Sequence, residues 1–413
     1  RTAGSVGALL FMSVPIVVWE AGVAYADLST GMFVLLAVYA VLNWEQAGER
    51  GWLAVAGVMC GFALGTKMLA VVPVAAICLW ALWAGRSKGW GTGLKCAALA
   101  GLFAAFIGAP WYVKTWLYTG NPVYPFFFNV FGGRNWTQAD ADLYRAAQQS
   151  MGMGRSAVGF LAAPWNLTVN GFRFYDFPAV FGLIGPAFLG LLALPILAGR
   201  MERSLLRIAF VSAVFVSAWF FLMQNARYMI TVLPLLSIFA GCGAAVALSH
   251  WRIGRFIADI FVVICVAVGM LTSILLVVDG ARVAVGLESA ESYLSRTLAP
   301  YDAQAFINSS TPTDAKVLLF KEPRGFYLER AYIWADPGHH QLIPWQSFRS
   351  DGDMVRFLRK RGYTHAIINW AFMKGDEPYE QMIFQAIGRG RLLEVYSSQK
   401  SRETVTVYEV RSP

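Results

Sequence analysis

Asp27, Lys67 and Arg227 are ionisable side chains in the apolar part of this chain, where few charges are found. A charge at membrane depth is costly, and its default meaning is functional. Lys67 stands alone in the 33 otherwise uncharged residues from Trp52 to Ala84. A stretch so much longer than the ~20 residues of one crossing should turn near Gly65-Thr66-Lys67. The short arms on either side place that turn below the surface, with an ammonium near lipid-phosphate depth, although a snorkelling lysine at a helix end would read the same way. Arg227, in Gln224-Asn-Ala-Arg-Tyr-Met-Ile-Thr-Val-Leu-Pro234, offers a planar fork of donors that suits phosphate oxygens. Tyr228 beside it could pack on an isoprenoid or a sugar. An arginine pairing with a headgroup or carboxylate at a helix end is the plainer alternative.

Asp27 closes the segment Pro15-Ile-Val-Val-Trp-Glu-Ala-Gly-Val-Ala-Tyr-Ala-Asp-Leu28, with Glu20 seven positions earlier. If helix persists through Gly22, both carboxylates share a face. Such a pair suits acid–base chemistry or a divalent metal such as Mg or Mn, with Asp27 as the ligand. The plainer reading makes Asp27 the N-cap of the apolar helix that follows.

The elements that must position these residues are membrane spans. Of 413 residues, 57% are hydrophobic and 14% charged, and the mean hydropathy is +0.51, outside the range of soluble domains. Nine apolar runs appear, at about Ser5 to Trp19, Leu28 to Leu42, Trp52 to Thr66, Met68 to Ala84, Leu94 to Val113, Pro178 to Ala198, Leu205 to Met223, Tyr228 to Leu248 and Phe256 to Val278. Residues 1–278 carry 17 basic and 9 acidic residues, whereas residues 279–413 carry 17 and 16. The basic surplus belongs to short loops: Arg50; Arg86, Lys88 and Lys95; Arg200, Arg203 and Arg207; Arg252 and Arg255. By the positive-inside rule these loops are cytoplasmic. The alternate connections, including the Asp27, Lys67 and Arg227 positions, a long loop at 114–177 and everything after Asp279, then face outside. This distribution argues against nucleic acid as a partner.

The fold expected is a polytopic α-helical membrane domain over 1–278, followed by an extracytoplasmic α/β domain over 279–413. In the second part, Glu288 to Leu298, Asp351 to Arg361 and Glu377 to Ile387 read as helices. Lys316 to Phe320 and Thr364 to Asn369 read as strands, with Leu392 to Ser397 and Thr404 to Val410 as a closing hairpin. The long outer loop mixes aromatics with Pro and Gly and suits the headgroup layer. Cys60, Cys78, Cys96, Cys242 and Cys265 fall in or beside spans and read as packing residues, not a disulfide framework. His339 and His340 lack metal-ligand spacing, and no Walker loop, GxGxxG or nucleophile elbow occurs. The chain opens on Arg1 on the expected cytoplasmic side with no targeting segment, so it reads as lacking its true N-terminus.

Four segments together resemble a family. Pro15 to Asp27 is similar to a P-x(n)-Y-x-D element, Gly61-Phe-Ala-Leu-Gly-Thr-Lys67 to a "Gly-Leu-Ala…Thr-Lys" element, Tyr112 to Pro125 to a "tyrosine…Thr-Gly-Asn-Pro-x-Tyr-Pro" element, and Arg227-Tyr228 through Pro234 to an "Arg-Tyr…Pro" element. They resemble polytopic GT-C-type glycosyltransferases that use polyprenyl-phosphate sugars, the group of the lipid A aminoarabinose transferases and protein O-mannosyltransferases. The resemblance spans about residues 5 to 250. It implies an inverting glycosyltransferase in a bacterial-type inner or plasma membrane, taking a sugar from a polyprenyl-phosphate donor to a lipid, glycan or protein acceptor. In that family a carboxylate of the first outer loop promotes transfer, often with a divalent metal. That loop would precede this chain, leaving Asp27 as the second acidic position. Lys67 and Arg227 would bind phosphate, Lys114, Tyr112 and Asn121 would line the donor or acceptor groove, and the C-terminal domain would help present the acceptor. A transporter or flippase of a lipid-linked saccharide, or a polysaccharide polymerase or ligase, is the alternative.

Overall fold

The computed structural model describes residues 2–174, 184–248, 252–400 and 402–411. The chain divides into two compact units, residues 1–131 with 144–279, and residues 132–143 with 280–413.

The first unit is helical. It runs α1 (Thr2–Met12), α2 (Pro15–Ala21), α3 (Asp27–Ala47), α4 (Gly51–Thr66), α5 (Val71–Gly85) and α6 (Trp90–Thr119). Then come α7 (Phe128–Phe131), α8 (Gln138–Ser150, in this unit from residue 144), α9 (Ala157–Val169), α10 (Pro186–Leu191), α11 (Leu194–Leu197), α12 (Arg203–Leu222), α13 (Leu233–Leu248) and α14 (Arg252–Ala284, in this unit to residue 279). Among the described residues, five helical stretches are long and apolar enough to cross a membrane: Asp27–Ala47, Met68–Lys88, Trp90–Thr119, Arg203–Leu222 and Phe256–Ala284. The α1–α2 pair passes the same test as one broken span bent by 70°, and four shorter apolar helices accompany them.

Several expected boundaries shift. The run Ser5 to Trp19 is not one straight helix. Pro15 has no N–H to continue α1, so it opens a new helix instead. Tyr228 to Leu248 begins as a 3-10 turn, Ala226–Thr231, before α13. The long connection at 114–177 starts as the end of α6 and then folds into α7, α8 and α9. The apolar α9 packs Ala163 and Leu167 into the core of the unit. Of Pro178 to Ala198, the part up to residue 183 lies outside the described residues, as do Phe177 and the side chains of Arg252 and Arg255; the remainder is α10 and α11.

Close helix contacts are made by small residues, as lipid-embedded packing requires. A Cβ on Gly61 of α4 would come within 2.5 Å of Ile107 Cβ and 2.9 Å of the Ala104 carbonyl oxygen of α6. On α3, a Cβ at Gly31 would come within 2.6 Å of the Ile230 carbonyl oxygen. Trp80, Trp219, Phe174, Phe215 and Phe220 fill the interior. All five cysteines are free.

The second unit is built on a five-stranded sheet in the order β2-β1-β3-β5-β4. The strands are β1 (Lys316–Phe320), β2 (Ala331–Trp334), β3 (Tyr363–Asn369), β4 (Leu392–Lys400) and β5 (Glu403–Val410). β1 lies parallel to both β2 and β3, with Val317 opposite Tyr332 and His365. β3 and β5 are antiparallel, with Ile367 opposite Val407, and β4 and β5 form the expected hairpin. The helices are α15 (Ala290–Thr297), α16 (Tyr301–Ser310), α17 (Asp351–Lys360) and α18 (Pro378–Gly388). Alternation along β1 sends Leu318 and Phe320 into a core with Met354, Val355 and Ile383, and Val317 and Leu319 into one with Ala303 and Ile307.

Candidate functional site

The start of α3, the break between α4 and α5, and the 3-10 turn after α12 bring Asp27, Lys67 and Arg227 together. Lys67 is extended (φ −152°, ψ 131°) between the end of α4 and the short 3-10 turn that opens into α5. Its ammonium donates to Asp27 Oδ1. Arg227 Nε lies 3.4 Å from Asp27 Oδ2 and 3.6 Å from Glu20 Oε1. Both carboxylates are buried, at 2% exposure each, whereas the Lys67 and Arg227 side chains keep 20%. The cations are therefore the part of the cluster that a ligand can reach.

Two aromatic rings complete it. The Lys67 ammonium sits 3.9 Å from the centre of the Tyr228 ring, and the Arg227 guanidinium 4.3 Å from that of Tyr25. Each cation is fixed by a carboxylate and by a ring face, an attraction that strengthens away from water.

Two expectations about the acids change. Helix does not persist through Gly22: α2 stops at Ala21 and a turn intervenes, so Glu20 and Asp27 converge from two helix ends rather than along one face. Nor is Asp27 an N-cap. The cap position of α3 is Ala26, and Asp27 is the first helical residue, its carboxylate committed to Lys67 and Arg227.

The remaining candidates occupy other places. Tyr112 donates from its hydroxyl to the Leu64 carbonyl at 3.4 Å, tying α6 to the last turn of α4 before Lys67. Lys114 is exposed on α6 over the Trp111 ring at 5.0 Å. Asn121 is fully buried; its amide donates to the Phe126 carbonyl (2.9 Å) and its Oδ1 accepts from the Val123 N–H (2.9 Å), so its carboxamide shapes its own loop.

Sequence reasoning missed the supports of Arg227. Asn225 Oδ1 accepts from the Arg227 N–H at 3.0 Å, capping the 3-10 turn, and the buried Trp219 indole donates to the Asn225 carbonyl at 2.7 Å. Gln224, fully buried, accepts from the Met153 N–H at 2.6 Å and donates to the Phe220 carbonyl at 2.9 Å. Asn225 carried a readable signal, since Asn before a turn is a cap candidate. Tyr25 stood in the Pro15 to Asp27 element without a role.

Both carboxylates are engaged by cations in this structure, Asp27 by Lys67 and Arg227 and Glu20 by Arg227. No group of three His, Cys, Asp or Glu side chains able to hold a metal occurs among the described residues. The chemistry the arrangement supports is neutral overall: two cations able to receive an anion, and two carboxylates able to take a proton.

Residues 1–113 match the family model for dolichyl-phosphate-mannose-protein mannosyltransferases. Among solved structures, apo ArnT from Cupriavidus metallidurans aligns over 99% of this chain and 82% of its own, at 14% identity and a TM-score of 0.54. The chain has the fold of ArnT over nearly its whole length. It is an integral membrane protein by that fold and by its apolar helices. ArnT from the same organism bound to undecaprenyl phosphate aligns over 100% of this chain and 84% of its own, at 15% identity and a TM-score of 0.49. Comparison with curated proteins found no match.

Proposed function

We propose that this protein is an inverting membrane glycosyltransferase that moves a sugar from a polyprenyl-phosphate carrier to a lipid, glycan or protein acceptor on the outer membrane face. The observation that carries the reading is the Lys67–Arg227 pair, one-fifth exposed beside two buried carboxylates at one end of the helical unit. The N-terminal match to a family named for transfer from dolichyl-phosphate mannose supports it.

Displacing a polyprenyl phosphate from an anomeric carbon places negative charge on the departing phosphate oxygens. Lys67 and Arg227 are held where they could receive it, with the guanidinium giving a two-pronged donor and the ammonium a point charge. Asp27 and Glu20 keep these cations in place before the donor arrives. Once phosphate competes for the cations, a carboxylate is released to take the proton of the acceptor. Inversion follows from attack on the face opposite the leaving phosphate.

The test is transfer from a polyprenyl-phosphate sugar by the full chain. Lys67→Ala and Arg227→Ala should each reduce transfer by about 10²-fold or more, the usual cost of losing one charge-stabilising group, while the protein remains in the membrane fraction. Unchanged transfer in both variants would refute the phosphate assignment. Movement of the carrier across the bilayer without sugar transfer would favour a transporter of lipid-linked saccharide.

A further inference from the structure

The far end of the helical unit holds a cavity of about 700 Å³. It is formed where the last turn of α3, the 3-10 turn Arg86–Lys88 after α5, and the first turns of α6 and α12 meet. The 21 residues of α3 put it ~30 Å from Asp27, about the depth of a hydrocarbon core, so it belongs to the opposite membrane face.

Its lining is strongly cationic. Arg50, Arg86, Lys88, Arg203 and Arg207 contribute to it, against one acid, Glu45, which Arg207 engages at 3.1 Å. Among the described residues, no carboxylate pairs with Arg50, Arg86, Lys88 or Arg203. Basic loops at one membrane face are ordinary and usually just solvated; two further features distinguish this group. The cations surround a cavity instead of spreading over a surface. The Arg86 guanidinium also lies against Trp83 (3.2 Å to the ring centre) and near Trp90 (5.3 Å). Both indoles are more than half exposed, and exposed Leu94 follows one turn later on α6. Tryptophans of this kind settle at headgroup depth, which places the cavity mouth among lipids. The backbone N–H groups of the first turns of α6 and α12 add positive character.

We propose that this cavity binds the phosphate of an anionic lipid headgroup on the face opposite the Asp27 cluster. Arg86, braced by the indoles, would grip the phosphate oxygens, while Arg50, Lys88 and Arg203 supply the field that selects an anionic over a zwitterionic lipid. Free phosphate offers the same anion, so the experiment separates the two sources.

The full chain is placed in phosphatidylcholine nanodiscs containing a small fraction of lipid brominated on its acyl chains. Tryptophan quenching is read for the native protein and for Trp83→Phe/Trp90→Phe, so that the difference reports these two indoles. Brominated phosphatidylglycerol should quench them at a roughly tenfold lower fraction than brominated phosphatidylcholine does. Arg50→Gln/Lys88→Gln/Arg203→Gln, which alters cations without carboxylate partners, should abolish that preference. Equal quenching by the two lipids, or a preference that survives the three substitutions, would overturn the proposal. Equilibrium dialysis with inorganic phosphate forms the second arm. Stoichiometric phosphate binding in discs lacking anionic lipid, lost in the triple variant, would overturn the lipid assignment and make this a site for soluble phosphate.

Discussion

Asp27 carries the electrostatics of the cluster, since both cations lie on its two oxygens. Removing one member of a buried ion pair costs about 3–5 kcal/mol because the survivor is left uncompensated, whereas removing both can be nearly neutral. Asp27→Asn should therefore lower both thermal stability and transfer. In Asp27→Asn/Lys67→Met part of the stability should return, because Lys67 no longer needs a partner and Arg227 keeps only Glu20, while transfer stays about 10²-fold down. Thermal melts and transfer assays on the single and double variants check this. Recovery of activity together with stability would make the pair a purely structural one. The three charges were legible because charge is rare in apolar sequence. Their mutual contacts were not, since residues from three distant segments meet only through helix packing. Asn121 was legible as a polar residue in a family-like motif, but its bonds to the Phe126 carbonyl and the Val123 N–H were not.

The helices set the cluster through close approaches that only small residues allow. Gly31 lies one turn into α3 after Asp27, and its backbone abuts the Ile230 carbonyl of the turn that carries Arg227. A methyl group there would meet that oxygen at 2.6 Å and push the start of α3 away. Gly31→Ala should cost about 1–3 kcal/mol, the usual range for overpacking. It should also weaken transfer through a longer Asp27–Arg227 separation, seen as a rise in the donor KM larger than any fall in kcat. A melt lowered with unchanged kinetics would show that Gly31 matters for packing alone. The apolar runs were readable as helices because composition alone marks them. The bend at Pro15 and the folding of 120–169 into helices depend on packing partners that the sequence does not display, and α8, whose polar residues resemble a loop, gave no apolar signal. The 33-residue run around Lys67 was legible as two helices because its length exceeded one crossing.

At the scale of the whole chain, the sheet-bearing unit carries buried carboxylates through which it responds to acid. In the sheet unit, Glu322 is buried beyond the end of β1 and is bound by Arg324 Nε at 2.7 Å and Nη2 at 2.6 Å. The same Nη2 reaches Glu403 at 2.5 Å, and the Asn369 amide donates to both acids at 2.9 and 2.7 Å. This network pins the end of β3 to the start of β5. Four strands were readable as short runs rich in apolar and β-branched residues, but the edge strand β2, largely exposed, was not, and neither was this network, whose bonded members lie up to 79 residues apart. Burial raises the Glu403 carboxyl, but the bonds from Arg324 and Asn369 outweigh it and hold the group below the usual range. A carboxylate depressed in the folded state adds stability above its unfolded value of ~4.3, and that stability is lost as pH falls through the lower folded value. Glu380 is depressed as well: burial opposes this, and Lys321 and the Gly375 N–H outweigh it. Hydrogen-exchange protection of β3 and β5 in the full chain, corrected for intrinsic rates, should hold from neutral pH to about 5 and decline below about 4. Glu403→Gln should start from lower protection at neutral pH and decline less steeply in acid, because it has no proton to take up at this position. Parallel acid profiles for the two proteins would remove Glu403 as a source of the decline.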